Sequence, residues 1–114
     1  MSSLFSARRK LVQNQEFILS LALQAKPELI LQADIKQLRA AVFVLKAILN
    51  GRIFISNTLY QNCKKKSLFR ELELLNHSKS LEKTLLSDCK KGGSRANLLK
   101  FLPIISLLLE CLLE

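Results

Sequence analysis

The sequence NLLKFLPIISLLLECLL, residues 97–113, is the most apolar stretch of the chain. A helix that crosses a bilayer needs about 20 apolar residues, and Lys100, Pro103 and Glu110 interrupt this stretch. We therefore predict a terminal helix buried in a protein core and keep a membrane anchor as the alternative. Pro103 either kinks this helix or starts a new one.

Apolar residues at helical spacing predict three further segments before this one. The first runs from Leu4 to Ala25 and ends at Pro27, because a residue before proline is disfavoured in the α conformation. The second begins at Pro27 or at Asp34, where Asp34 and Gln37 fit a capping box, and it continues to Leu49. The third runs from Ser67 to Asp88.

Asn50-Gly51 follows the second segment and suits a helix cap with glycine in the left-handed conformation. The next residues, Arg52 to Ser56, form the one strand-like pattern in the chain. Because a single strand has no pairing partner, we predict more helix over residues 52–63, with Asn50-Gly51 as a kink or a short break.

The composition agrees with helices throughout. The 114 residues include 26 leucines, 3 glycines and 2 prolines, and 49% are hydrophobic, which favours helix over all-β structure. We predict an all-α protein, a compact antiparallel bundle of about four helices that forms a single domain over residues 1–114.

Cysteine usage indicates neither a disulfide framework nor a metal site. Cys63, Cys89 and Cys111 are widely spaced, and the chain has one histidine, His77. Structural zinc needs four such ligands at close spacing. We expect three buried, apolar cysteines in a reducing compartment, with no metal site.

Catalytic machinery is not expected either. The sequence lacks both phosphate-binding glycine motifs, and His77 has only Glu73 nearby on its predicted helix face. Gly92-Gly93-Ser94-Arg95 could hold one phosphate, although a helix cap followed by a new helix explains it better. We predict no enzyme, no catalytic residue and no cofactor.

Positive charge is the strongest functional signal. The chain carries 18 Lys and Arg against 9 Asp and Glu, a net charge of +9. Lys64, Lys65 and Lys66 follow Tyr60 and Asn62, and Arg70 lies close behind. Cations bind phosphates, while tyrosine and asparagine can contact an unpaired base. We expect RNA at this site. A solvated helix end, anionic lipid and an acidic protein are the alternatives.

Two stretches of the sequence resemble those of a known protein family. LYQNCKKKSLFREL, residues 59–72, and LLKFLPII, residues 98–105, resemble the RNase MRP-specific subunit and nucleolus-and-neural-progenitor (Nepro) protein group, over about residues 38–113. The resemblance implies a helical domain linked to RNA in nucleolar particles that process ribosomal RNA precursors. It would place Tyr60, Asn62, Lys64, Lys65, Lys66 and Arg70 at the RNA-facing junction.

The predicted function is a non-catalytic RNA-binding subunit of a nuclear or nucleolar ribonucleoprotein. Apolar helix faces would dock other subunits, and the residues expected there are Leu98, Phe101, Leu102 and Ile105. An interaction module, such as a homo-oligomer, is one alternative. A mitochondrial or membrane-associated protein is the other, because Arg8-Arg9-Lys10 lies in an acid-free N-terminus typical of a presequence. A cytoplasmic location also remains open.

Overall fold

The computed structural model describes residues 9, 12–89 and 93–113, and this part of the chain is all-α, as predicted. Its radius of gyration is 12.9 Å, as expected for a compact domain of this length. The helices are α1 (Gln15–Gln24), α2 (Pro27–Gln32), α3 (Ile35–Leu49), α4 (Asn57–Lys64), α5 (Ser67–His77), α6 (Leu81–Leu86) and α7 (Ala96–Leu109), and a 3-10 turn (Glu110–Leu113) follows.

Helix α7 lies at the centre, in contact with all six other helices. Its sequence is apolar on almost every side, and eight of its 14 residues are buried. A helix that is hydrophobic all round must be enclosed by protein or lipid, and here the other helices enclose it. The predicted buried terminal helix is therefore confirmed, and it continues through the exposed Pro103.

The predicted number of about four helices is too low, because two segments contain breaks. The capping box at Asp34 and Gln37 is present, with the Gln37 amide 2.9 Å from the Asp34 carboxylate, and it starts α3. Pro27 starts the short α2 before it. Both starting points weighed for the second segment are thus real helix starts.

Two helices end in the same hydrogen-bond motif. After α3, Gly51 has a φ of +72° and the Arg52 amide donates to the Ala47 carbonyl at 2.9 Å. After α5, Lys79 has a φ of +61° and the Ser80 amide donates to the Leu75 carbonyl at 2.9 Å. This Schellman motif needs one left-handed residue, usually glycine. Lysine rarely adopts that conformation, so the sequence concealed the break between α5 and α6.

The prediction of helix over residues 52–63 is wrong for its first half. Residues 52–56 are not helical, and α4 begins only at Asn57, where the Ser56 hydroxyl accepts a hydrogen bond from the Leu59 amide. Ile53 and Ile55 pack against the core, while Phe54 between them is exposed. Burial of alternate side chains holds this extended segment in place without a pairing strand.

Asp88 caps the start of α7 from the preceding loop. Its carboxylate accepts hydrogen bonds from the Ala96 amide at 2.8 Å and from the Ser94 hydroxyl at 3.1 Å. Gly93 passes so close that an added Cβ would lie 1.7 Å from the Asp88 carbonyl oxygen. Ser94 therefore contributes to the start of α7 indirectly, by donating a hydrogen bond to the capping carboxylate of Asp88.

A polar contact also fixes α7 against α1. Ser106 is the one polar side chain that is buried in the described ranges, and its hydroxyl donates to the Leu21 carbonyl at 2.8 Å. Leu21 lies in the last turn of α1, and its carbonyl also accepts a hydrogen bond from the Ala25 amide at 3.1 Å. The Ser106 hydroxyl thus finds an acceptor inside the core and links α7 to the end of α1.

Replacing Asp88 with alanine should lower the free energy of unfolding by about 1 kcal/mol, the usual cost of a lost N-cap. Urea denaturation followed by circular dichroism measures this change. The Asp88→Asn variant keeps an acceptor oxygen and should recover part of the loss. Equal stability of Asp88→Ala and the native protein would contradict the assigned cap.

Candidate nucleic-acid interface

The junction between α4 and α5 brings the predicted RNA-binding residues to one region of the surface. Helix α4 ends at Lys64, and Lys66 has an extended conformation before α5 begins at Ser67. The Lys66 amide donates to the Cys63 carbonyl at 2.9 Å, which closes the turn. The side chains of Lys64, Lys65 and Lys66 are all exposed.

Tyr60 is held in a fixed orientation beneath this junction. Its ring packs edge-on against the buried Phe69, with centroids 5.9 Å apart and planes at 82°. The Lys64 ammonium lies 5.4 Å from the centroid of the Tyr60 ring. The half-buried tyrosine therefore serves partly as a core residue, and it positions a lysine by a cation–π contact.

The other two predicted residues lie on the flanking helices. Asn62 is exposed on α4, and Arg70 is exposed on α5. Glu71 follows Arg70, but its carboxylate lies 3.1 Å from the Lys100 ammonium of α7. That acid therefore pairs with α7.

Two other cations, Arg95 and Lys100, bond to other groups of the protein. The Arg95 guanidinium donates to the carbonyl groups of Ile30, Leu31 and Ala33 at the end of α2, where a cation is favourable. Lys100 pairs with Glu71 and lies over the Phe101 ring. The Arg95 side chain is therefore directed toward the end of α2.

A wider signal in the sequence was not used in the initial prediction. Residues 35–70 contain eight Lys and Arg but no Asp or Glu, so this third of the chain carries almost all of the net charge of +9. It spans α3, the extended segment, α4 and the start of α5. It adds four exposed cations to the predicted ones, namely Lys36, Arg39, Lys46 and Arg52.

The residues predicted to dock a protein neighbour lie in the interior. Leu98, Phe101, Leu102 and Ile105 are each at most 3% exposed. They pack α7 against the chain's own helices and present no surface to a partner. The apolar repeat identified core residues, and it cannot distinguish a core face from an interface.

Three other features bear on the alternatives. Ala96–Leu113 is long and apolar enough to cross a membrane, but about half of it is buried inside the protein, as a core helix would be. The described ranges contain no group of three or more metal-ligating side chains. The presequence of the mitochondrial alternative falls mainly on residues 1–8, 10 and 11, which lie outside the described residues. Lys90, Lys91 and Gly92 also lie outside them.

A scan against protein-family models finds no match to this chain, and searches of curated proteins and of solved structures find none either. The resemblance to the RNase MRP-specific and Nepro group stays a hypothesis.

The three cysteines are buried, as predicted. Burial raises the pKa of Cys63 to about 11, the negative charge of Glu110 adds to this, and Lys66 opposes it. Burial likewise raises the pKa of Cys89, with a further contribution from Asp88. Thiols react as thiolates, so neither cysteine is set up as a nucleophile at neutral pH.

Iodoacetamide should therefore modify Cys63 and Cys89 much more slowly in the native protein at pH 8 than in urea. Mass spectrometry of quenched samples measures the rate at each cysteine. The pKa of Cys63 is raised in the folded protein, so its protonated thiol stabilises the fold relative to the unfolded chain. This contribution to the free energy of unfolding should be lost as the pH rises from about 9 toward 11. Rapid modification of native Cys63 would contradict its burial.

Proposed function

We propose that this chain is a non-catalytic RNA-binding helical protein, and that the junction of α4 and α5 contacts the phosphate backbone. The observation that carries the proposal is the acid-free stretch 35–70, whose exposed cations include the cluster of Lys64, Lys65 and Lys66. Such a cluster attracts a polyanion and gains affinity when counterions are released.

The junction also presents the start of a helix. Helix α5 has no side-chain cap at Lys66 and no acid in its first turn. The positive end of a helix dipole favours an anion at this place. The start of α5 therefore supports the lysines as a phosphate-binding surface.

RNA is favoured over duplex DNA as the polyanion. Lys65 and Lys66 lie in the turn that joins α4 to α5, rather than within a helix. Duplex-reading domains place a helix in the major groove, whereas RNA-binding sites use loops and unpaired bases. On the resemblance stated above, the particle would be nuclear or nucleolar and would process ribosomal RNA precursors.

Protein neighbours in such a particle would have to use other surfaces. Leu23, Leu31 and Leu74 are large apolar side chains that are more than half exposed. Exposed apolar groups of this kind favour protein contacts. We propose them, in place of the buried residues of α7, as contacts for other subunits.

Replacing Lys64, Lys65 and Lys66 together with alanine should weaken binding to RNA of any sequence. For a single strand, loss of three phosphate contacts should lower the slope of log K against log salt by about 2. Fluorescence anisotropy between about 50 and 200 mM salt measures both quantities.

A matched control removes the same charge elsewhere. Arg9, Lys26 and Lys83 are exposed and lie outside residues 35–70, so their triple alanine variant should bind more tightly than the junction variant. Equal losses in the two variants would reduce the effect to net charge. Unchanged affinity in the junction variant would contradict the proposed site.

A further inference from the structure

The extended segment before α4 covers an apolar cavity that adjoins the basic junction. The cavity has a volume of about 390 Å³, and its walls include Leu49, Ile53, Phe54, Ile55 and Tyr60. Ligand pockets typically fall in this size range and have mostly apolar walls. It lies between the end of α3 and the start of α4, where the chain changes direction.

Phe54 lines this cavity, but its side chain does not contribute to the hydrophobic core. It is 80% exposed, the highest value among the large hydrophobic side chains of the described ranges. Ile53 and Ile55 on either side pack against the core. The neighbours therefore fix the backbone of Phe54, and its ring remains available to a partner.

The elements that form the cavity also carry exposed cations. Arg52 precedes the wall residue Ile53 and lines, with Lys46, a second cavity of about 250 Å³, and Lys64 lies over the ring of the wall residue Tyr60. Among the described residues, neither cavity has Asp or Glu in its walls. An apolar protein partner would leave these charges without neutralisation, whereas a strand with phosphates between its bases would neutralise them.

We propose that Phe54 stacks on an unpaired base of single-stranded RNA, with the base seated at the mouth of this cavity and the flanking phosphates at Arg52 and Lys64. The inference rests on the proposed function and names the form of RNA that the site takes. Tyr60 is a less suitable platform, because Phe69 and Lys64 already occupy its ring. Aromatic stacking accepts any base, so this contact adds affinity without fixing the sequence.

The test compares a base-bearing strand with a strand that lacks bases. Fluorescence anisotropy gives the Kd for an oligouridylate of about 12 nucleotides and for an abasic analogue with the same phosphates. The native protein should bind the oligouridylate about tenfold more tightly than the analogue. The Phe54→Ala variant should lose that preference and bind the analogue as the native protein does.

Two further variants separate stacking from simple apolar contact. Phe54→Trp should keep the preference for bases, and Phe54→Leu should lose most of it. Val12→Ala is the matched control, since Val12 precedes α1 and is 71% exposed, and it should leave both affinities unchanged. Because Phe54 is so exposed, its variants should keep the native circular dichroism spectrum and Tm.

The outcomes distinguish this inference from the proposed function. If the lysine triple variant loses binding but Phe54→Ala binds both strands as the native protein does, stacking is overturned and the phosphate site stands. Full affinity of Phe54→Leu for the oligouridylate would also overturn stacking, because an aliphatic side chain would then suffice. If the native protein binds neither strand, the proposed function fails and the inference fails with it.

Discussion

Burial of α7 is the constraint on which the rest of the structure depends. An apolar helix of 14 residues gains free energy from each square ångström removed from water, but no single neighbouring helix can cover all of its sides. In the described ranges, six other helices of 6 to 15 residues all contact α7. The polar contacts that fix its position come from Asp88 at its start and from Ser106 and Arg95, which bond the carbonyl ends of α1 and α2.

This arrangement divides the charges of the protein into two groups. Arg95 and Lys100 lie on or next to the central helix and are paired with carbonyl groups or with Glu71. The cations of residues 35–70 lie on elements outside that helix, and no acid occurs within this part of the sequence to pair with them. Surface cations without local partners cost little stability, but they attract anionic ligands. Some basic residues thus stabilise the fold, and the cations of residues 35–70 remain exposed on α3, before α4 and at the α4–α5 junction.

Much of the fold could be predicted from the sequence, because helical periodicity, the Asp34 capping box and Asn50-Gly51 are local signals. The break at Lys79 could not, since lysine in a left-handed conformation has no local signature and tertiary packing must stabilise it. Position 54 was missed for another reason. The alternation of Ile53, Phe54 and Ile55 was visible, but a strand was rejected because it would have no pairing partner. In the structure, burial of Ile53 and Ile55 holds this segment in a conformation that is not helical. For the site, the lysine cluster was found by its charge. The interior position of Leu98 and its neighbours depends on what covers α7, which periodicity does not specify.

The most direct measurement is the nuclear magnetic resonance spectrum of the amide groups during titration with a short single-stranded RNA. If residues 35–70 form the nucleic-acid interface, the amide signals of residues 52–56 and 64–70 should shift, with smaller changes in the buried residues of α7. The shifts should vanish at high salt, because phosphate contacts are screened. Shifts concentrated in α1 and α2, or the absence of shifts at residues 52–70, would contradict this assignment.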